Sequence, residues 1–302
     1  MEVRRHDTDD RGTERWRRLA LPLLAADPHT NTVALTALAE VAGGATGIDT
    51  LLTVHDGADR VVGAALRFRG FALLVSGLPA AAAAAVADAL GDAPMADRGV
   101  FGAAPATDAF AAARSARTGE TAVTDVEMRL WVLDGLVAPT GVDGVARAAV
   151  EGDGPMVAQW LRAFAADVAA DHPGRPDPDG DEAPAGGPDP ATLVAQQRAL
   201  GRDVVVWEVG GTPVAFAVGR GPAAGATRIG PVYTPPERRG HGYASAVTAA
   251  ATARALAAGA RGVVLFTDTA ADVPNRIYAR IGYGPAGLHR EVRLVPARTR
   301  VR

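Results

Sequence analysis

The chain has 302 residues, 48% of them hydrophobic and 22% charged, with a formal net charge of -3. That balance fits a soluble globular protein of about two domains, and it leaves no basic footprint of the kind nucleic acid requires. The lack of Cys removes disulfides, thiolate nucleophiles and Cys-based zinc sites, and the lack of Lys removes Schiff-base chemistry and a Walker-type lysine.

The first residues, "MEVRRHDTDDRGTERW", are too charged for a secretory signal, and no apolar run reaches the ~18 residues of a membrane span. A cytoplasmic address without a membrane partner is expected. Further on, "LLTVHDGADRVVGAALRFRG" (51–70) reads as two apolar strands around a "HDGAD" turn. It is followed by "FALLVSGLP", an alanine helix to about Leu90, a short "RGVF" strand and a helix near "ATDAFAAARSARTG". A division near residue 137, with a strand on either side, separates residues 1–136 from 137–302.

In the second half Asp153 is expected to cap a helix in which Met156, Trp160, Leu161, Phe164 and Val168 recur at helical spacing. Thr192 to Leu200 read as a shorter helix. Between them, residues 172–190 are rich in Pro, Gly and acid, too polar and broken to pack, and are expected to form a mobile insertion. "DVVVWEVGGTPVAFAVGRG" (203–221) is a second hairpin, followed by "ATRIGPVYTPP", an alanine helix to about Ala258, "RGVVLFTD" and "VPNRIYARIGYGP". The same order of elements thus occurs twice at an offset of roughly 150–160 residues, the mark of a tandem repeat of one α/β fold.

The stretch "PPERRGHGYASA" (235–246) carries the chemistry. Gly240 and Gly242 allow close backbone approach, and the helix behind them offers unpaired N–H groups at its positive end. Such a terminus binds anions, phosphate above all, and Arg238 and Arg239 add charge that pairs with phosphate oxygens. The first half reads "SGLPAAAAA" at the matching corner, with neither the arginines nor the glycine pair.

Arg239-x-x-Gly242-x-Ala244 after the strand "IGPVYTPP" resembles the Q/R-x-x-G-x-G/A pyrophosphate loop of the GNAT superfamily of acyl-CoA-dependent N-acetyltransferases. "NRIYARIGYGP" is similar to that family's closing motif. The resemblance implies two GNAT-like domains, each a mixed twisted sheet flanked by helices. Residues 1–136 would form a degenerate copy and 137–302 the catalytic one. It implies acetyl-CoA as acyl donor, no metal, and a small-molecule or peptide amine as acceptor. By resemblance the backbone of Val232, Tyr233 and Thr234 would pair with the pantetheine arm, with Pro231 favouring a bulge. The stretch Arg238, Arg239, Gly240, His241, Gly242, Tyr243, Ala244 and Ser245 would hold the pyrophosphate. Asn275 would bond the cofactor arm, and Tyr278 would protonate the departing thiolate. No glutamate stands out as general base, Glu208 and Glu237 being the candidates weighed. A non-catalytic acyl-CoA-binding protein and a nicotinamide-dependent oxidoreductase are the competing readings.

Overall fold

The computed structural model describes residues 1–42, 47–92, 95, 99–172 and 189–296. Most of the expected insertion at 172–190, with its run of acids, therefore lies outside the described residues. The first half runs β1 (Glu2–Arg5), α1 (Asp10–Ala26), α2 (Thr32–Ala42), β2 (Ile48–His55), β3 (Val61–Phe68), β4 (Leu73–Leu74), α3 (Ala83–Leu90), β5 (Val100–Ala103), α4 (Ala104–Thr118) and β6 (Thr121–Leu133). The second runs β7 (Val145–Ala148), α5 (Gly154–Asp171), α6 (Leu193–Ala199), β8 (Asp203–Val209), β9 (Thr212–Gly219), β10 (Ala226–Tyr233), α7 (Tyr243–Ala257), β11 (Gly262–Asp268), α8 (Asp272–Arg280) and β12 (Tyr283–Val295). Ten elements recur in the same order.

The chain divides into two compact units, and the division differs from the expected one at 136/137. One unit comprises Met1–Leu35, Thr46–Met128 and Gly287–Arg302; the other comprises Thr36–Ala45 and Arg129–Ala286. The closing strands cause the difference. In the first unit the strand order is β1-β2-β3-β4-β5-β12, and His289–Val292 of β12 pair antiparallel with β5. In the second unit the order is β6-β11-β10-β9-β8-β7. Each sheet is thus completed by a strand from the other half of the sequence. Both sheets are mixed, since β4 pairs parallel with β5 and β10 pairs parallel with β11 while the hairpins are antiparallel.

Strand periodicity explains the core of the second unit. Val205, Ala215 and Ala217 face one side with Val247 and Ala251 of α7 and Tyr278 of α8. Val204, Val206, Phe216 and Val218 face the other with Val157, Ala158, Leu193 and Val194 from α5 and α6. With both faces covered, β8 needs no polar alternation and reads "VVV". In the first unit the main core joins Leu52, Val54, Leu73, Val75, Val86, Phe110 and Val292.

Asp153 does not cap α5 as expected. Its carboxylate turns back to accept from Val150 N–H at 2.8 Å and from Arg147 at 2.6 and 2.9 Å, and Arg147 also donates to Glu208 at 2.6 Å. The Arg147 guanidinium holds the Asp153 carboxyl below the usual carboxylate range.

Candidate functional site

The parallel pairing of β10 and β11 covers Ala226–Arg228 against Gly262–Val264 and then stops. From there Ile229–Tyr233 and Leu265–Asp268 run on unpaired with each other, which opens a cleft between their C-terminal ends. On its other edge β10 pairs with β9, where the register shifts between Ile229 and Val232. Gly230 and Pro231, joined by a cis peptide, sit in that irregularity. The expected bulge is therefore present, and Val232 and Tyr233 regain register with Ala217 and Phe216 beyond it.

The chain then turns through Pro235, makes a single 3-10 turn at Pro236–Arg238, and enters α7. Gly240 (φ 85°) and Gly242 (φ 81°) both lie in the left-handed region, which costs a side-chain-bearing residue of ordinary chirality about 1 kcal/mol or more. Gly242 also has Val142 against it, since a Cβ there would approach Val142 Cγ2 to 3.0 Å. No side chain caps α7, and its first returning backbone bond is Ala246 N–H to the Gly242 carbonyl. The N–H groups of residues 240–245 have no acceptor among the described residues. Six amides at a helix start, two of them carried by left-handed glycines, form a basin of partial positive charge.

Arg238, Arg239, Gly240, His241 and Gly242 are exposed. The Arg239 side chain is engaged elsewhere: its Nε donates to the Thr234 carbonyl at 3.1 Å, its Nη2 meets Asp167 of α5 at 2.7 Å, and it lies over the Tyr233 ring. The Arg238 side chain, exposed, has no ion-pair partner among the described residues. The His241 ring stacks on Tyr243, with 5.4 Å between centroids, so its imidazole covers the corner. Ala244 and Ser245 are half-buried in the first turn of α7.

On the β11 side, the Asn275 side chain is fully committed as a donor. Its Nδ2 reaches the carbonyls of Asp268 and Thr269 at 3.2 and 3.3 Å, and its Oδ1 accepts from Thr267 Oγ1 at 2.5 Å. Thr267 in turn accepts from Trp131 Nε1 of β6 at 2.9 Å. Asn275 thus fastens α8 to the end of β11. One turn on, Tyr278 is 9% exposed, its ring edge-on to Tyr283, and its hydroxyl has no hydrogen-bond partner among the described residues. Burial pushes the phenol up to about 12, so it carries its proton throughout the neutral range. The turn after α8 is closed by Gly282, at φ 96° with the Gly135 carbonyl 1.8 Å from where a Cβ would stand. That explains the glycine in "IGYGP".

One pair at this end of the sheet escaped the sequence reading. His172, at the end of α5, meets Asp268, the last residue of β11, with Nε2 and Oδ2 2.9 Å apart. Asp268 is itself held by Ala270 N–H at 2.8 Å. An ionised carboxylate accepts only, so it fixes the Nε2–H tautomer and leaves Nδ1 as a proton acceptor. The two residues are 96 positions apart, and only the opening of β11 from β10 gives Asp268 its significance. Glu208 is tied to Arg147, and Glu237 is exposed. Among the described residues there is no group of three or more His, Asp or Glu that could hold a metal ion, and no helix long and apolar enough to cross a membrane.

The corresponding corner of the first half is filled by its own chain. Gly77 packs so close that a Cβ would meet Leu24 Cδ2 at 2.6 Å, its carbonyl accepts from Ala64 N–H, and Leu78 is buried. Pro79 leads through a 3-10 turn into α3, with no left-handed glycine in the corner.

Residues 173–283 match the model of the acetyltransferase (GNAT) family. No match is found among the curated proteins. Among solved structures the fold is shared with a GCN5-related N-acetyltransferase from Kribbella flavida, at 18% identity and TM-score 0.53 over 87% of this chain and 96% of that one. A GCN5-related N-acetyltransferase from Sphaerobacter thermophilus gives 17% and 0.53 over 98% and 96%. A tandem GNAT protein from the clavulanic acid biosynthesis pathway gives 16% and 0.52 over 96% and 97%.

Proposed function

Proceeding from the match of residues 173–283 to the GNAT acetyltransferase family and from a fold shared with a tandem GNAT protein, we propose that the chain transfers an acetyl group from acetyl-CoA to an amine. The carrying observation is the basin of six unpaired amides at residues 240–245, standing beside two parallel strands that part. A pyrophosphate fits that basin, because backbone N–H groups and Arg238 meet its oxygens while the left-handed glycines leave room for close approach. The pantetheine arm fits the unpaired edge of Val232–Thr234.

The amine attacks the thioester carbonyl directly, and a backbone N–H at the Gly230–Val232 irregularity stabilises the oxygen as charge builds on it. Tyr278 supplies the proton to the leaving sulfur. A phenol near 12 is a weak acid against a thiol of about 8.5, so it donates a hydrogen bond first and yields its proton only as charge develops on sulfur. His172, oriented by Asp268, receives the proton of the amine through Nδ1. Asn275 holds α8, and with it Tyr278, to β11.

Titration with acetyl-CoA should raise Tm, whereas NAD(H) should not, and a thiol-release assay over an amine panel should show turnover. Absence of a shift with every acyl-CoA would refute the proposal. Binding without thiol release on any amine would leave the non-catalytic acyl-CoA-binding reading in its place.

A further inference from the structure

A second cationic centre lies at the opposite end of β10 from the amide basin. Glu40 of α2 accepts from Arg202 through both oxygens, at 2.9 and 2.6 Å, and from Arg220 Nη1. Arg228, in the paired part of β10, joins the same electrostatic group, feeling Arg220 and Arg202 as repulsive charges and Glu40 as an attractive one. Three guanidiniums against one carboxylate leave a charge of 3 - 1 = +2. The Nε atoms of Arg220 and Arg228 are sealed from solvent without an acceptor, and the two residues are neighbours where β9 ends beside β10, Arg220 N–H donating to the Arg228 carbonyl at 3.1 Å. Burial also pushes Arg228 below its ordinary value. A buried guanidinium left unpaired is among the more expensive arrangements in a protein interior.

Of the three arginines Arg202 is the one that lines a cavity, of about 300 Å³, whose wall also includes Arg198, Gly201, Asp203 and Arg254. Arg254 is neutralised by Asp203 at 2.5 and 3.0 Å, so it adds no net charge. Six residue steps separate Arg228 from Thr234, about 20 Å at the usual rise, which sets this centre apart from the pyrophosphate corner.

We propose that Arg202, Arg220 and Arg228 form a binding site for a phosphate group, free or carried as a phosphomonoester, entering beside Arg202. A dianion matches the surplus charge, and its oxygens offer acceptors in the planar geometry that guanidiniums favour. Glu40 holds Arg202 and Arg220 in place and leaves the Arg228 guanidinium as the one without an anionic partner.

Calorimetric titration of the full chain with inorganic phosphate and with methyl phosphate, against chloride at equal ionic strength, tests this. Saturable binding of both points to a phosphomonoester, and binding of inorganic phosphate alone points to the free ion. Arg228→Gln should weaken binding at least tenfold while leaving acetyl-CoA affinity unchanged, and Arg238→Gln should leave phosphate binding intact. Two results would overturn the assignment: no saturable phosphate binding by the wild-type chain, which needs no variant to fold, or loss of it in Arg238→Gln with retention in Arg228→Gln.

Discussion

Tyr278 is where burial and chemistry meet in one side chain. Its hydroxyl is unpartnered and its proton is held to about 12, so Tyr278→Phe removes a donor without opening a core cavity. Turnover should fall by about 10²-fold or more with the dissociation constant for CoA nearly unchanged, as thiol release and calorimetry would show. His172→Gln should act on turnover in the same way, with CoA affinity again preserved. The same burial sets an alkaline limit on stability. An unfolded tyrosine ionises near 10 whereas native Tyr278 resists until about 12, and burial raises Tyr283 as well. The native state therefore keeps its full stability below pH 10 and loses it as pH climbs toward 12, by about 3 kcal/mol for Tyr278 alone. Denaturant midpoints between pH 9 and 11.5 should fall less steeply in Tyr278→Phe than in wild type. Several side chains did not show their use in the sequence. Asn275 and Arg239 carry family-like positions, yet their bonds go to Thr267, Asp268, Thr269, Thr234 and Asp167. A motif marks which residue stands at a position, but the partner of a flexible polar side chain depends on what folding brings beside it.

The start of α7 is the element on which the proposed donor binding rests. Its alanines let the helix settle close on β8, β9 and β10, and its glycines expose the amides ahead of it. Gly242→Ala should cost about 1 kcal/mol in backbone strain plus the adjustment of Val142. The larger effect should be on acetyl-CoA, with KM rising at least tenfold and Tm falling by only a few degrees. A drop in Tm without a change in KM would mean that the corner is structural only. This corner was legible because prolines, glycines and arginines act locally: each fixes or frees its own backbone. Both hairpins were legible for the same reason, through "HDGAD" and "VGGTP". The opening helix α1 was not read, although Trp16, Ala20 and Leu24 line its buried face and Asp9 accepts from Gly12 N–H at 2.7 Å to cap it. Its charged first turns outweigh that stripe in any inspection by composition.

Strand exchange governs the molecule as a whole. Residue 137 looked like a boundary because a loop lies there, but β6 completes the sheet of the second half and β12 that of the first. No local signal specifies this, since a strand of alternating polarity fits any open sheet edge and its partner is chosen over more than 100 residues. The fragment 137–302 would lack Trp131, whose indole holds Thr267 at the cleft, and would leave His289–Val292 without β5. It should show a broadened thermal transition and weak near-ultraviolet circular dichroism, and co-expression with fragment 1–136 should restore both. A fragment 137–302 that melts sharply and binds acetyl-CoA like the full chain would contradict this.

The exchange also bears on how such a duplicated chain changes over generations. The half without an anion corner supplies β6 to its sister, and α2 sends Glu40 to Arg202 and Arg220 of the second unit. Deleting that half would remove β6 from its sister's sheet, so neither half of the sequence can be lost without leaving the other short of a strand.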